Sequence, residues 1–197
     1  MSLAAISALV YLVFAAVFLA IRAFFIRRMR REKAVSRNDG LDRALVLLVG
    51  LGQIVLPILY QRRAALMHVA DRPQFEACLV LGVAAMLAGL WLFWRSHVDL
   101  GDSWSVTLEL NADHRLVTCG LYRRVRHPMY SSFLVLGLGQ ALLVPNWIAG
   151  LSGLASVLLL IAVRLPREEA MMVDQFGDQY RDYRRRTGAV LPRTMRG

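Results

Sequence analysis

Residues 129–163 read MYSSFLVLGLGQALLVPNWIAGLSGLASVLLLIAV, two uncharged apolar stretches, Met129 to Val144 and Trp147 to Val163, joined only by Pro145 and Asn146. A connection this short turns one helix straight back along the other, so the segment predicts a tight helical hairpin whose two outer ends lie on the same side. Basic sequence flanks one end, RRVRHP at 123–128, and mixed charge flanks the other, RLPREE at 164–169. The hairpin therefore gathers two polar segments at one mouth.

Three more apolar stretches precede it: Leu3 to Ile26, Ala44 to Tyr60 and Gln74 to Trp94. At ~1.5 Å per helical residue, stretches near this length cross a hydrocarbon layer of ~30 Å. The first lacks a basic leading segment and a small-residue cleavage site, so it reads as a retained span rather than a signal peptide. Gln53 and Pro57 interrupt the second, which is acceptable where neighbouring helices satisfy the freed polar groups. Ala85 and Gly89, four apart on the third, leave a face small enough for close helix approach.

The expectation is an all-α, polytopic integral membrane protein with about five transmembrane helices. Residues 1–94 hold three of them. Residues 95–197 hold a catalytic region built on the hairpin at 129–163 and a C-terminal amphipathic helix, which begins near Pro166 and carries Val173, Phe176, Tyr180 and Tyr183 at helical spacing.

Composition agrees. The chain has 197 residues, 57% hydrophobic, with a formal net charge of +10 and a mean hydropathy of +0.46. Lys33 is the only lysine. The arginines fall in blocks between apolar stretches rather than on one face, which argues against a nucleic-acid partner and for contact with membrane lipids. Basic residues crowd the loop after the first span (Arg27, Arg28, Arg30, Arg31, Lys33, Arg37), so that loop is expected in the cytoplasm, the amino terminus outside, and residues 95–128 and the tail from Arg164 inside. Arg62 and Arg63 run against this tendency. Cys78 and Cys119 offer no disulfide framework, the four histidines are scattered, and no metal is expected.

At the mouth of the hairpin, Tyr122, Arg126, His127 and Tyr130 face Arg164, Arg167, Glu168 and Glu169. Ionisable groups there can be functional or can simply anchor helix ends, and the two glutamates would suit the start of a tail helix in any case. The residues alone leave this open.

The run HRLVTCGLYRRVRHPMY, His114 to Tyr130, followed by REEAMMVDQFGDQYRDY, Arg167 to Tyr183, resembles the isoprenylcysteine carboxyl methyltransferase family, with phospholipid N-methyltransferases as more distant relatives. The resemblance implies an S-adenosylmethionine site formed by His114, Arg115, Leu116, Val117, Tyr122, Arg126, His127, Pro128, Met129 and Tyr130, completed by Glu168. It implies that Arg164 binds an acceptor carboxylate and takes part in catalysis with Glu168 and Glu169. The resemblance implies a lipophilic acceptor, with a prenylcysteine carboxylate as the family's namesake substrate. A carboxylate needs no general base at neutral pH, whereas a phenol or amine acceptor would draw on Glu169 or His127. Two departures stand out: Ser132 where members carry glycine, and Thr107 where they carry glutamine. The GDSWS stretch at 101–105 resembles the loop leading into the family's catalytic region. The alternatives are an NADPH-dependent membrane reductase of similar architecture and a non-catalytic scaffold on anionic lipid.

Overall fold

The computed structural model describes residues 2–29, 40–62, 69–101 and 116–193; the expectations for Thr107, His114 and Arg115, and for 102–105 of GDSWS, fall outside them. Among the described residues the regular elements are α1 (Leu3–Met29), α2 (Gly40–Gly50), a π-helical segment Leu51–Val55, α3 (Leu56–Gln61), α4 (Glu76–Leu100), α5 (Pro128–Leu143), α6 (Trp147–Phe176) and α7 (Asp178–Arg186). The helices Leu3–Arg27, Gly40–Gln61, Glu76–Leu100 and Trp147–Phe176 are long and apolar enough to cross a membrane. The fifth expected span, α5, has 16 residues, about 24 Å of helix. Large apolar side chains such as Leu47, Val80, Leu87, Trp91 and Leu158 point away from the protein. Lipid is the solvent that tolerates so much exposed apolar surface.

Close packing rests on glycine where α4, α5 and α6 meet. A Cβ on Gly89 would come within 2.7 Å of Leu136, one on Gly139 within 2.7 Å of Met86, and one on Gly137 within 2.9 Å of the Leu154 Cα. The last contact is with backbone, which cannot step aside. Gly137→Val is therefore expected to push α5 off α6 and to cost about 1–3 kcal/mol, seen as a lower Tm in detergent; an unchanged melt would show that the helices do not approach there.

The π segment opens the second span where Gln53 sits. Its widened turn leaves carbonyls free for neighbouring helices. The Gly52 carbonyl accepts from Gln140 Nε2 at 2.8 Å and Ser152 Oγ at 2.7 Å, and the Gln53 carbonyl accepts from the Tyr11 hydroxyl. Gln140 also donates to the Ala149 carbonyl at 2.8 Å. The Gly52 and Gln53 carbonyls at this depth are thus paired with groups on α1, α5 and α6, as lipid requires of freed backbone, whereas Gln53 Nε2 is buried without a hydrogen-bond partner among the described residues. At the hairpin turn, Arg72 donates to the last carbonyls of α5 and lies 5.6 Å from the Trp147 ring, a cation placed at a helix C-terminus.

Two expectations need correction. No separate tail helix begins near Pro166: α6 runs through that proline to Phe176, and the break comes at Gly177, whose φ is +53°. Proline forfeits one backbone hydrogen bond, but the Arg164–Glu168 ion pair spans the gap at 2.8 Å. Glycine reaches a positive φ without the Cβ penalty, so the chain turns there instead. The third span likewise does not stop at Trp94. α4 continues to Leu100 and brings Ser96, His97 and Asp99 to the site end of the bundle.

Candidate active site

His127 precedes α5 and Pro128 is its first residue, a position where proline's missing N–H costs nothing. The backbone just before it pairs with the tail: Arg126 N–H donates to the Gly188 carbonyl at 2.8 Å and His127 N–H to the Ala189 carbonyl at 2.9 Å. Ser131 Oγ adds a bond to the Val190 carbonyl at 2.6 Å. Residues 126–131 and 187–190 therefore form one wall.

The last turns of α6 supply the opposite side. Glu168 Oε1 accepts from the Tyr130 hydroxyl at 2.7 Å and from Arg164 Nε at 2.8 Å, while its Oε2 lies 3.4 Å from His127 Nδ1. Glu169 Oε1 accepts from Arg126 Nε at 2.8 Å and Nη2 at 2.6 Å, and its Oε2 pairs with Arg184 at 3.2 Å. His127 Nε2 is 3.5 Å from Glu169 and is buried with no hydrogen-bond partner among the described residues. The His127 and Tyr130 rings stack with centroids 5.6 Å apart. Each glutamate thus serves a separate set of cations, with the imidazole between them.

Burial alone would lower the basicity of His127, but the two carboxylates at its ring nitrogens outweigh that and raise its pKa above the ordinary value. A group whose pKa rises on folding stabilises the native state fully below its unfolded pKa, about 6.5, and loses that contribution as pH climbs through the folded value. The Tm is expected to fall through that interval in the wild type and to vary less in His127→Gln. Parallel Tm profiles for the two proteins would remove His127 as the cause.

Tyr122 lies in a short 3₁₀ turn, Gly120–Arg123. Its carbonyl accepts from the buried Tyr183 hydroxyl at 2.5 Å, and Asp99 Oδ2 accepts from Leu121 N–H at 2.8 Å. Gly120 has φ +57°, and a Cβ there would meet the Asp99 carboxylate at 2.3 Å. Glycine lets the turn close on the end of α4.

Of the residues selected from sequence, the structure brings Arg126, His127, Tyr130, Arg164, Glu168 and Glu169 into one ion-paired cluster, with Tyr122 and Pro128 buried beside it. Met129 packs on the apolar core. Leu116 and Val117 are half-buried in irregular chain and take no part in the cluster. Ser132 is fully buried, and its hydroxyl donates to the Met129 carbonyl at 2.6 Å. Sequence reading missed Arg184, Asp99 and Asp42. Arg184 follows Tyr180 by four residues, so helical spacing could have aimed it at the same side.

The family description for isoprenylcysteine carboxyl methyltransferase matches residues 80–174. The protein-S-isoprenylcysteine O-methyltransferase of Schizosaccharomyces pombe is 36% identical over 163 residues, 79% of this chain and 69% of that protein. The chain belongs to the isoprenylcysteine carboxyl methyltransferase family. By family it is a methyltransferase and an integral membrane protein. Protein-S-isoprenylcysteine O-methyltransferase B of Arabidopsis thaliana is 30% identical over 113 residues, 56% of this chain and 57% of that protein. The solved structure of a eukaryotic intramembrane Ras methyltransferase, isoprenylcysteine carboxyl methyltransferase, shares the fold, with a TM-score of 0.51 at 23% identity over 80% of this chain and 54% of that one. The chain thus spans little more than half the length of these last two.

Proposed function

We propose that this protein transfers a methyl group from S-adenosylmethionine to the carboxylate of a lipophilic, prenylcysteine-type acceptor at the cytoplasmic face of the membrane. The amino terminus would lie outside, residues 95–197 would form the catalytic region, and the N-terminal spans would offer the acceptor a path from the bilayer. The observation that carries this reading is the joining of Tyr130, Arg164 and Glu168 at the mouth of the hairpin. The names of the Schizosaccharomyces pombe and Arabidopsis thaliana relatives support the acceptor class.

The residues suit a ligand with a cationic amino-acid end and a hydroxylated sugar: Glu168 and Glu169 accept, and the buried His127 Nε2 has only a long 3.5 Å ion-pair contact with Glu169 among the described residues. S-adenosylmethionine would supply a methyl already activated on sulfonium. The protein's part is then positioning, because displacement needs the nucleophile held near the methyl carbon and in line with the departing sulfur. Arg164 would orient the acceptor with its planar fork, which matches a carboxylate. Glu168 holds that fork through Arg164 Nε at 2.8 Å.

Detergent-solubilised protein titrated calorimetrically should bind S-adenosylhomocysteine and not NADPH; binding of NADPH alone would make it a reductase, and binding of neither a scaffold. Labelled methyl groups should appear on a prenylcysteine. Arg164→Ala should raise KM for carboxylate acceptors by roughly tenfold or more while cofactor binding holds. Equal weakening of cofactor binding would place Arg164 at the cofactor instead.

A further inference from the structure

Asp42 lies in the first turn of α2, where none of the sequence motifs falls. The residue is 4% exposed, deeper than most carboxylates outside an ion pair of good geometry. Among the described residues its Oδ1 meets Arg167 Nη1 at a long 3.4 Å, and that arginine's side chain is 39% exposed. Its Oδ2 is buried and accepts no hydrogen bond from the described residues. A buried carboxylate oxygen left this way costs free energy unless something donates to it.

The position of that oxygen points to what donates. Leu45, one turn further along the same face of α2, packs with Tyr130 and Leu160, and α2 lies against α6. Asp42 therefore flanks the Arg164–Glu168–Tyr130 group from the side of α2, and its contact with Arg167, one turn after Arg164 on α6, puts it at the same end of that helix. With Arg164 as a fork for a carboxylate, Asp42 Oδ2 would be an acceptor for a donor close to that carboxylate. An α-nitrogen stands two bonds from the carboxylate carbon of any amino acid, so one molecule can meet both.

We propose that Asp42 accepts a hydrogen bond from the α-nitrogen of the methyl acceptor, so that Arg164 and Asp42 together select a carboxylate with an adjacent N–H. This rests on the acceptor reading above and assigns a residue of this chain to the acceptor's nitrogen. The nitrogen of the cofactor's methionine end is the other possible donor.

The experiment uses the full-length protein in detergent and two acceptors: N-acetyl-S-farnesylcysteine, which has the N–H, and S-farnesyl-3-mercaptopropionate, which lacks the nitrogen. The wild type should prefer the first, with roughly a tenfold lower KM. Asp42→Asn, close in size, should raise KM for the first by a similar factor and leave the second unchanged, so that the preference collapses. Equal loss on both acceptors would make Asp42 structural and overturn the assignment. A weaker Kd for S-adenosylhomocysteine in the variant would move the contact to the cofactor and overturn it too. Should Asp42→Asn fail to fold, the wild-type preference still decides: equal KM values for the two acceptors defeat the idea. Methylation of neither acceptor by wild type would instead defeat the underlying acceptor reading.

Discussion

Glu168→Ala is expected to abolish methyl transfer, by at least a hundredfold, and to lower stability by about 3 kcal/mol. One carboxylate answers the Tyr130 hydroxyl at 2.7 Å, Arg164 Nε at 2.8 Å and His127 Nδ1 at 3.4 Å. Its removal strands three donors at once, two of them able to carry charge, in a place where water reaches them poorly. Losing one partner of a buried charged group costs more than the pair itself contributes, because the survivor stays desolvated and unanswered. Arg164 would then be free to swing, and the acceptor's carboxylate would lose its fixed fork. Glu168→Gln separates the two effects. The amide oxygen can still accept from Tyr130, so much of the stability should return, while the charge that holds Arg164 and His127 does not. Activity in the glutamine variant near that of wild type would show that Glu168 serves packing alone.

The hairpin and the spans were legible because an apolar run of that length has few other uses and a two-residue connection leaves little freedom. The cluster at its mouth was legible through residue type and resemblance together: neither the charge blocks nor Tyr130 alone separates an anchor from a site. The missed features share a cause. Pro166 reads as a helix start in sequence, yet the Arg164–Glu168 bridge that carries α6 through it depends on Tyr130 and His127 from another element. The π segment at Leu51–Val55 has no sequence signal of its own; what holds it open is Gln140, far along the chain. Asp42 was overlooked because burial of a helix-start aspartate is decided by α6, and a lone acid at such a position ordinarily faces water. Interactions between elements, unlike those within one, leave no period to read.

Arg126→Ala is expected to be nearly as damaging, by a different route. Its guanidinium donates twice to Glu169, at 2.8 and 2.6 Å, and also to the carbonyls of Thr187 and, at 3.2 Å, Arg184. One side chain thereby fastens the end of α6, the end of α7 and the start of α5 to each other. With alanine, the tail keeps its backbone bonds to residues 126 and 127, but Glu169 retains only Arg184, whose side chain is 56% exposed, and His127. An exposed ion pair contributes about 0–1 kcal/mol, too little to hold the wall closed. The expected signs are loss of S-adenosylhomocysteine binding and faster proteolysis after Gly177, with the membrane-spanning helices still intact by circular dichroism. Arg126→Lys should fail to rescue, since an ammonium cannot reach Glu169 and two carbonyls in diverging directions as the planar fork does. Full rescue by lysine would mean that only the positive charge matters. A tail that resists protease in the alanine variant would mean that the backbone pairing alone closes the wall.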